Sequence, residues 1–297
     1  MKLDEICAVP PTVITQEQRL RFYEQGYLKF PGLFSDDWLK PLRNALAEIV
    51  ESTREIKEST QRIDIEPDHC AEKPRLRRVA YVDEYDPIFW QLCKDSIIPD
   101  IAADLLGANI RFREIMMNFK WSDGGAEVKW HQDLAFYPHT HSGTTQFLLL
   151  LDGATPEQGP LQVVPGSHRG KLFPHYDDQW NWTGAIAEGD YEEAGVDQAV
   201  MLTGSPGTLT VHHGLTVHGS GSNYDSAARP AFVLTYAAAD AMPYTAPSYP
   251  SVNYHTLVRG VEPRYAHHEE LNVPLPPDWW GGYTSIFDHQ EEISTVA

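Results

Sequence analysis

The feature that most limits the fold is a change of texture near residue 110. Before it the chain carries helix punctuation and helical period; after it come short strand-like runs. Thr15-Gln16-Glu17-Gln18 reads as a capping box opening a short helix that ends near Gly26. A second helix is expected from Ser35, with Asp36 and Asp37 in its first turn, where the helix dipole favours negative charge. Leu39, Leu42, Leu46, Ile49, Val50 and Ile56 then build one apolar stripe. A third helix is expected over 98–106, stopped by Gly107. Beyond it, the runs 111–119, 146–151, 161–164, 208–212 and 231–237 are separated by Gly, Pro, Asp and Ser and read as strands. Helices followed by many short strands predict an α+β protein, mainly β, with a β-sandwich or jelly-roll core flanked by N-terminal helices. Residues 170–200 are polar and aromatic with little periodicity, as in a long insertion or lid. The Pro-, Tyr- and Trp-rich stretch from 240 onward is expected to wrap the barrel or cover its mouth.

At 297 residues, 42% of them hydrophobic, the chain can bury a sizeable core, and one domain over 1–297 is expected. Its parts are a helical segment at about 15–107, a jelly-roll core at about 110–240 and a C-terminal segment at about 241–297. A formal charge of −19, from 42 acidic against 23 basic residues, disfavours nucleic acid and anionic membranes as partners, because both need a positive surface. A small-molecule substrate is expected instead; oligomeric state leaves no mark in the sequence. Cys7, Cys70 and Cys93 are scattered and fit no CxxC pattern, so they read as reduced thiols in a cytoplasmic protein. Met1-Lys2-Leu3-Asp4-Glu5 is followed by no apolar run, and no stretch approaches the roughly 20 residues of a membrane span.

The chemistry concentrates in two places. On a strand, residues i and i+2 share a face, so His131-Gln132-Asp133 would aim its imidazole and carboxylate into one cavity. A third donor must come from elsewhere among 13 histidines. His212, His213 and His218 lie on the strand-like segment 208–220; His218 is preferred because Gly219-Ser220-Gly221 follows and lets backbone approach a small ligand. His212 and His213 read as satisfied core residues or as supports for the ligands. Two histidines and a carboxylate suit a non-haem Fe(II) oxygenase, and also a catalytic zinc site. Arg229-Pro230, just before the alternating run Ala231-Phe232-Val233-Leu234-Thr235-Tyr236, favours the first. A guanidinium buried there needs an anion, which 2-oxoglutarate supplies; an ion pair with Asp225 is the plainer alternative.

Four stretches together resemble the phytanoyl-CoA dioxygenase (PhyH) family of Fe(II)/2-oxoglutarate-dependent oxygenases. They are Phe22-Tyr23-Glu24-Gln25-Gly26-Tyr27-Leu28-Lys29-Phe30-Pro31-Gly32, Trp130-His131-Gln132-Asp133, residues 159–168, and His218-Gly219-Ser220-Gly221-Ser222-Asn223 with Arg229. The resemblance implies a double-stranded β-helix (jelly-roll, cupin-like) core, with iron held by His131, Asp133 and His218. It implies Arg229 on the distal carboxylate of 2-oxoglutarate and Ser220 assisting it. Gln132, Asn118 and Gln146 resemble further polar contacts to that co-substrate, although each of them, like Ser220, also fits an ordinary strand or turn role. One departure, Gln158-Gly159 where the family often has Asn-Gly, touches only a turn.

What the resemblance implies is O2-dependent hydroxylation of an unactivated C–H bond in a small or medium organic molecule, with release of succinate and CO2. Desaturation, epoxidation or rearrangement of a natural-product intermediate stays open, as does a non-catalytic cupin-like binding protein. Asp133 stands where related halogenases carry a small residue, which argues against halogenation. Tyr137, Phe136, His139 and Met117 are the expected substrate neighbours, with Met116, Trp121, Trp180 and Trp182 as further apolar walls.

Overall fold

The computed structural model describes residues 3–122 and 127–277, together with Trp279, Ile286 and Gln290. After a short α1 (Leu3–Cys7), the capping box forms: Gln18 N–H donates to Thr15 Oγ1 at 3.1 Å, and Thr15 N–H donates to Gln18 Oε1 at 2.8 Å. It opens α2 (Gln16–Gln25), which Gly26 closes in the left-handed region at φ 81°. α3 (Asp36–Ser52) buries Leu39, Leu42, Leu46 and Ile49 along the expected stripe. Ile56 lies beyond its end and packs on the core from the following loop. α4 (Pro87–Asp95) was not anticipated, though its signals are ordinary ones: Asp86 accepts from Ile88 N–H at 2.8 Å, and Pro87 occupies the first turn. α5 (Ile98–Leu106) follows as expected.

Twelve strands are described. The N-terminal part, expected to be helical, also contributes β1 (Tyr27–Phe30), β2 (Ile63–Ile65) and β3 (Leu76–Val79). Then come β4 (Ile110–Asn118), β5 (Val128–His131), β6 (Thr144–Leu150), β7 (Leu161–Val163) and β8 (Val200–Met201). β9 (Leu209–His213), β10 (His218–Ser220), β11 (Ala231–Ala238) and β12 (Leu257–Arg259) complete the set. One sheet runs β1-β9-β6-β11-β4-β3-β2, with β12 also against β4; the other runs β5-β10-β7-β8. Every one of these pairings is antiparallel, as a jelly roll requires.

The segment 208–220, read from sequence as one strand, is two. β9 belongs to the large sheet and β10 to the small one, and residues 214–217 cross between them. Gly214 sits at the crossing against Thr144, where any Cβ would overlap the threonine hydroxyl.

Parity along the central strands explains their unbroken apolar texture. Phe147 and Leu149 of β6, with Phe232, Leu234 and Tyr236 of β11, face the helices. Leu148, Leu150, Ala231 and Val233 face the small sheet. Strands covered on both sides have no need of polar alternation. Phe232 is fully buried with its ring 5.4 Å from that of Phe89 on α4. Phe232→Ala should cost about 3–5 kcal/mol, visible as a lower denaturant midpoint in urea unfolding.

Candidate metal centre and its cavity

β5 ends at His131, and β10 sets His218 directly opposite it in register. The two imidazole centroids are 4.0 Å apart. Asp133 does not extend the strand. It opens a single 3-10 turn, Asp133–Ala135, and its carboxylate bends back toward both rings. Its Oδ1 lies 3.9 Å from His131 Nε2 and 3.6 Å from His218 Nε2. All three side chains are buried, and one donor atom from each falls within 4.8 Å of the others.

The backbone fixes which nitrogen each ring presents. His131 Nδ1 is 2.8 Å from Lys129 O, and His218 Nδ1 is 2.9 Å from Thr216 O. A carbonyl only accepts, so Nδ1 carries the proton and Nε2 turns a lone pair inward. Burial holds both imidazoles below their ordinary value, which favours the neutral, ligating form. Burial would raise Asp133, but His218, His212 and His131 outweigh it and hold the carboxyl well below the usual range. The set therefore fits a divalent metal such as Fe(II), with coordination positions to spare.

Two neighbours orient the carboxylate. His212 Nε2 donates to Asp133 Oδ2 at 3.0 Å, the supporting role expected for it. Gln146 Nε2 donates to Asp133 Oδ1 at 3.3 Å. Losing such a partner commonly costs a metal site roughly 10- to 100-fold in affinity. His212→Ala should do so here, read by calorimetric metal titration.

The centre opens into a cavity between the two sheets, lined by residues of β4, β5, β6, β10 and β11. Arg229, Asn118, Ser220 and Gln146 all line it. Arg229 is buried, its Nε has no hydrogen-bond partner, and no ion pair reaches it among the described residues. Asp225, the alternative partner, spends its carboxylate on Ala227 N–H at 2.8 Å. Burial pushes the Arg229 guanidinium down to about 10. A buried, uncompensated guanidinium on a cavity wall is costly unless an anion completes it. Lys120, missed in the sequence, lines the same wall; burial pulls its amine down to about 6, and it donates to Ser220 O at 3.1 Å and to Gly221 O.

Three expected site residues lie elsewhere. Gln132 is turned away from the cavity: its amide donates to Lys171 O (3.1 Å) and Leu215 O (2.7 Å) and accepts from Phe173 N–H (2.8 Å). Because the chain leaves the strand after His131, Gln132 clips the loops together behind the metal ligands. Met117 points into the core under the helices, while Met116 lines the cavity, a consequence of strand parity. His139 is buried behind the wall, with Nε2 3.1 Å from Arg113 Nη1. Phe136 and Tyr137 do line the cavity, and Phe136 meets the His131 ring edge-on at 5.8 Å. Of the further walls, Trp182 packs on Phe136 at 5.2 Å, Trp180 is exposed, and Trp121 stacks on Phe119. Ser248, Tyr249 and Ile286 reach the cavity from the C-terminal stretch. No helix among the described residues is long and apolar enough to cross a membrane.

Known proteins resemble this chain. A probable alpha-ketoglutarate-dependent hypophosphite dioxygenase of Stutzerimonas stutzeri is 30% identical over 94% of this chain and 98% of its own length. The L-proline trans-4-hydroxylase of Streptomyces griseoviridis is 25% identical over 74% of this chain and 85% of its own. The crystal structure of EctD from S. alaskensis with 2-oxoglutarate and 5-hydroxyectoine superposes with a TM-score of 0.68 at 25% identity, covering 90% of this chain and 93% of that one. The profile of the phytanoyl-CoA dioxygenase (PhyH) family matches residues 22–231. Most of the chain lies inside that match, and the chain belongs to the phytanoyl-CoA dioxygenase (PhyH) family.

Proposed function

We propose that this Fe(II)- and 2-oxoglutarate-dependent dioxygenase hydroxylates a C–H bond of a small organic molecule. The observation that carries the reading is the convergence of His131, Asp133 and His218 on one wall of a cavity that also holds an unpaired Arg229. Ferrous iron there supplies oxygen activation: R–H, 2-oxoglutarate and O2 become R–OH, succinate and CO2. The remaining work belongs to the chain. His131 and His218 offer Nε2 lone pairs locked by backbone carbonyls, and His212 and Gln146 hold the Asp133 carboxylate in place. Arg229 grips the far carboxylate of 2-oxoglutarate, with Asn118 and Ser220 beside it on the same wall. Phe136 and Tyr137 exclude water from the other side and hold the substrate against the centre.

An organic substrate suits the lining. Leu148, Met116, Val233 and Phe136 form apolar wall that a carbon skeleton would cover and a lone oxyanion would leave wet. The relative named for hypophosphite makes that ion a necessary comparison. The test is succinate formation above the uncoupled background across a substrate panel, followed by product mass under isotopically labelled dioxygen. Label in an alcohol supports hydroxylation. An unlabelled product lacking two hydrogens, or coupling with hypophosphite alone, overturns it.

A further inference from the structure

The large sheet lays its inward residues in rows across neighbouring strands. His212, Gln146, Thr235 and Glu114 are register partners in sequence from β9 through β6 and β11 to β4. The first two members of this row hold Asp133. The last, Glu114, lines the cavity beyond them. A β-bulge in β4 helps place it: Thr235 pairs with Glu114 while Tyr236 pairs with Phe112, so Arg113 is extra and Phe112 returns to the core face.

Glu114 is only 6% exposed, yet no hydrogen bond or ion pair joins its carboxylate to any described residue. Thr235 comes close enough to ease it slightly, but the Thr235 hydroxyl makes no hydrogen bond. The Tyr137 hydroxyl, on the same cavity and near enough to feel the charge of Glu114, is also buried without a partner. Arg113, the adjacent cation, spends Nη1 on His139 and lies over the Tyr137 ring at 4.3 Å, outside ion-pair distance of Glu114. Arg78, also on the cavity wall, pairs with Asp64 at 3.3 Å and bonds the Tyr249 hydroxyl. Burial therefore raises the Glu114 carboxyl, with Arg113 only partly offsetting it. A buried carboxyl and a buried hydroxyl without partners, both lining the cavity, are costly unless a ligand completes them.

We infer that Glu114, with the Tyr137 hydroxyl, forms a subsite for a protonated nitrogen bearing N–H donors, so that the substrate is a small amine, amidine or amino-acid-like zwitterion. The subsite rests on the dioxygenase reading above and adds the chemical class that the cavity selects. Arg229 and Glu114 then divide the cavity by charge. The co-substrate's carboxylate goes to the guanidinium, and the substrate's cation goes to the carboxyl two strands beyond Gln146. Each charge also repels the wrong molecule from its end.

The test uses full-length protein loaded with Ni(II), which keeps the site filled without turnover. 2-Oxoglutarate is titrated first by calorimetry. Matched fragments are then screened by thermal shift and titration, each amine beside the alcohol and carboxylic acid of the same skeleton, with hypophosphite added as a small anion. Amines should bind at least tenfold more tightly than their matched partners, and Glu114→Gln should erase that preference. Tyr137→Phe, which keeps the ring and deletes the hydroxyl, should weaken the amines by threefold or more. Acids or hypophosphite binding better than amines, no amine binding at all, or a preference that survives in Glu114→Gln would each overturn the subsite. Failure of 2-oxoglutarate to bind the Ni(II) protein is a separate result and overturns the dioxygenase reading instead.

Discussion

Arg229→Leu should raise the Kd for 2-oxoglutarate by at least about 100-fold and leave the empty protein as stable as before, or more so. Each hydrogen bond to a charged group contributes roughly 1.5–3 kcal/mol, and a guanidinium can give a carboxylate two in parallel. The combined loss of about 3–6 kcal/mol corresponds to roughly two to four powers of ten in affinity. The stability half of the prediction follows from burial: with no counter-ion among the described residues, the guanidinium costs the fold desolvation that leucine avoids. Arg229→Lys should fall between, since a point charge cannot match a planar carboxylate at two points. Calorimetry with 2-oxoglutarate, paired with a melting curve without it, separates the two halves. An unchanged Kd in the leucine variant would move the co-substrate's seat elsewhere in the cavity.

Asp133→Ala should lower turnover by more than about 1000-fold, a barrier increase of roughly 4 kcal/mol or more. The substitution removes the one anionic donor of the triad and strands the two groups that held it, His212 Nε2 and Gln146 Nε2. Ferrous binding should weaken with activity, and equilibrium dialysis against Fe(II) under argon measures that apart from catalysis. Asp133→Ala that kept both metal and turnover would remove the carboxylate from the centre.

Much of this centre could be read from the chain because its donors are chemically scarce and closely spaced. His131 and Asp133 are two residues apart, and Gly219 and Gly221 flag His218. The expected geometry was less secure than the expected residues. A strand carrying both His131 and Asp133 would have put them on one face, whereas the chain turns after His131 and the carboxylate returns through the 3-10 turn. Parity decided the substrate side. Asn118 and Met117 are adjacent on β4 and cannot share a face, so once Asn118 is placed in the cavity Met116 must follow it. Glu114 and Lys120 obey the same alternation, and it was the signal that could have found them. β2 and β3 escaped notice because three or four residues, one or two of them charged, carry too little period to stand out.

The clip made by Gln132 has a mechanical consequence. One side-chain amide rivets the β5 end, the 171–173 stretch and Leu215 at the peptide that lies between two donors of the triad. The 170–200 flap cannot swing outward at that point without tugging on His131 and Asp133 themselves. The chelating atoms are thereby tied, through one amide, to the loops on either side of them.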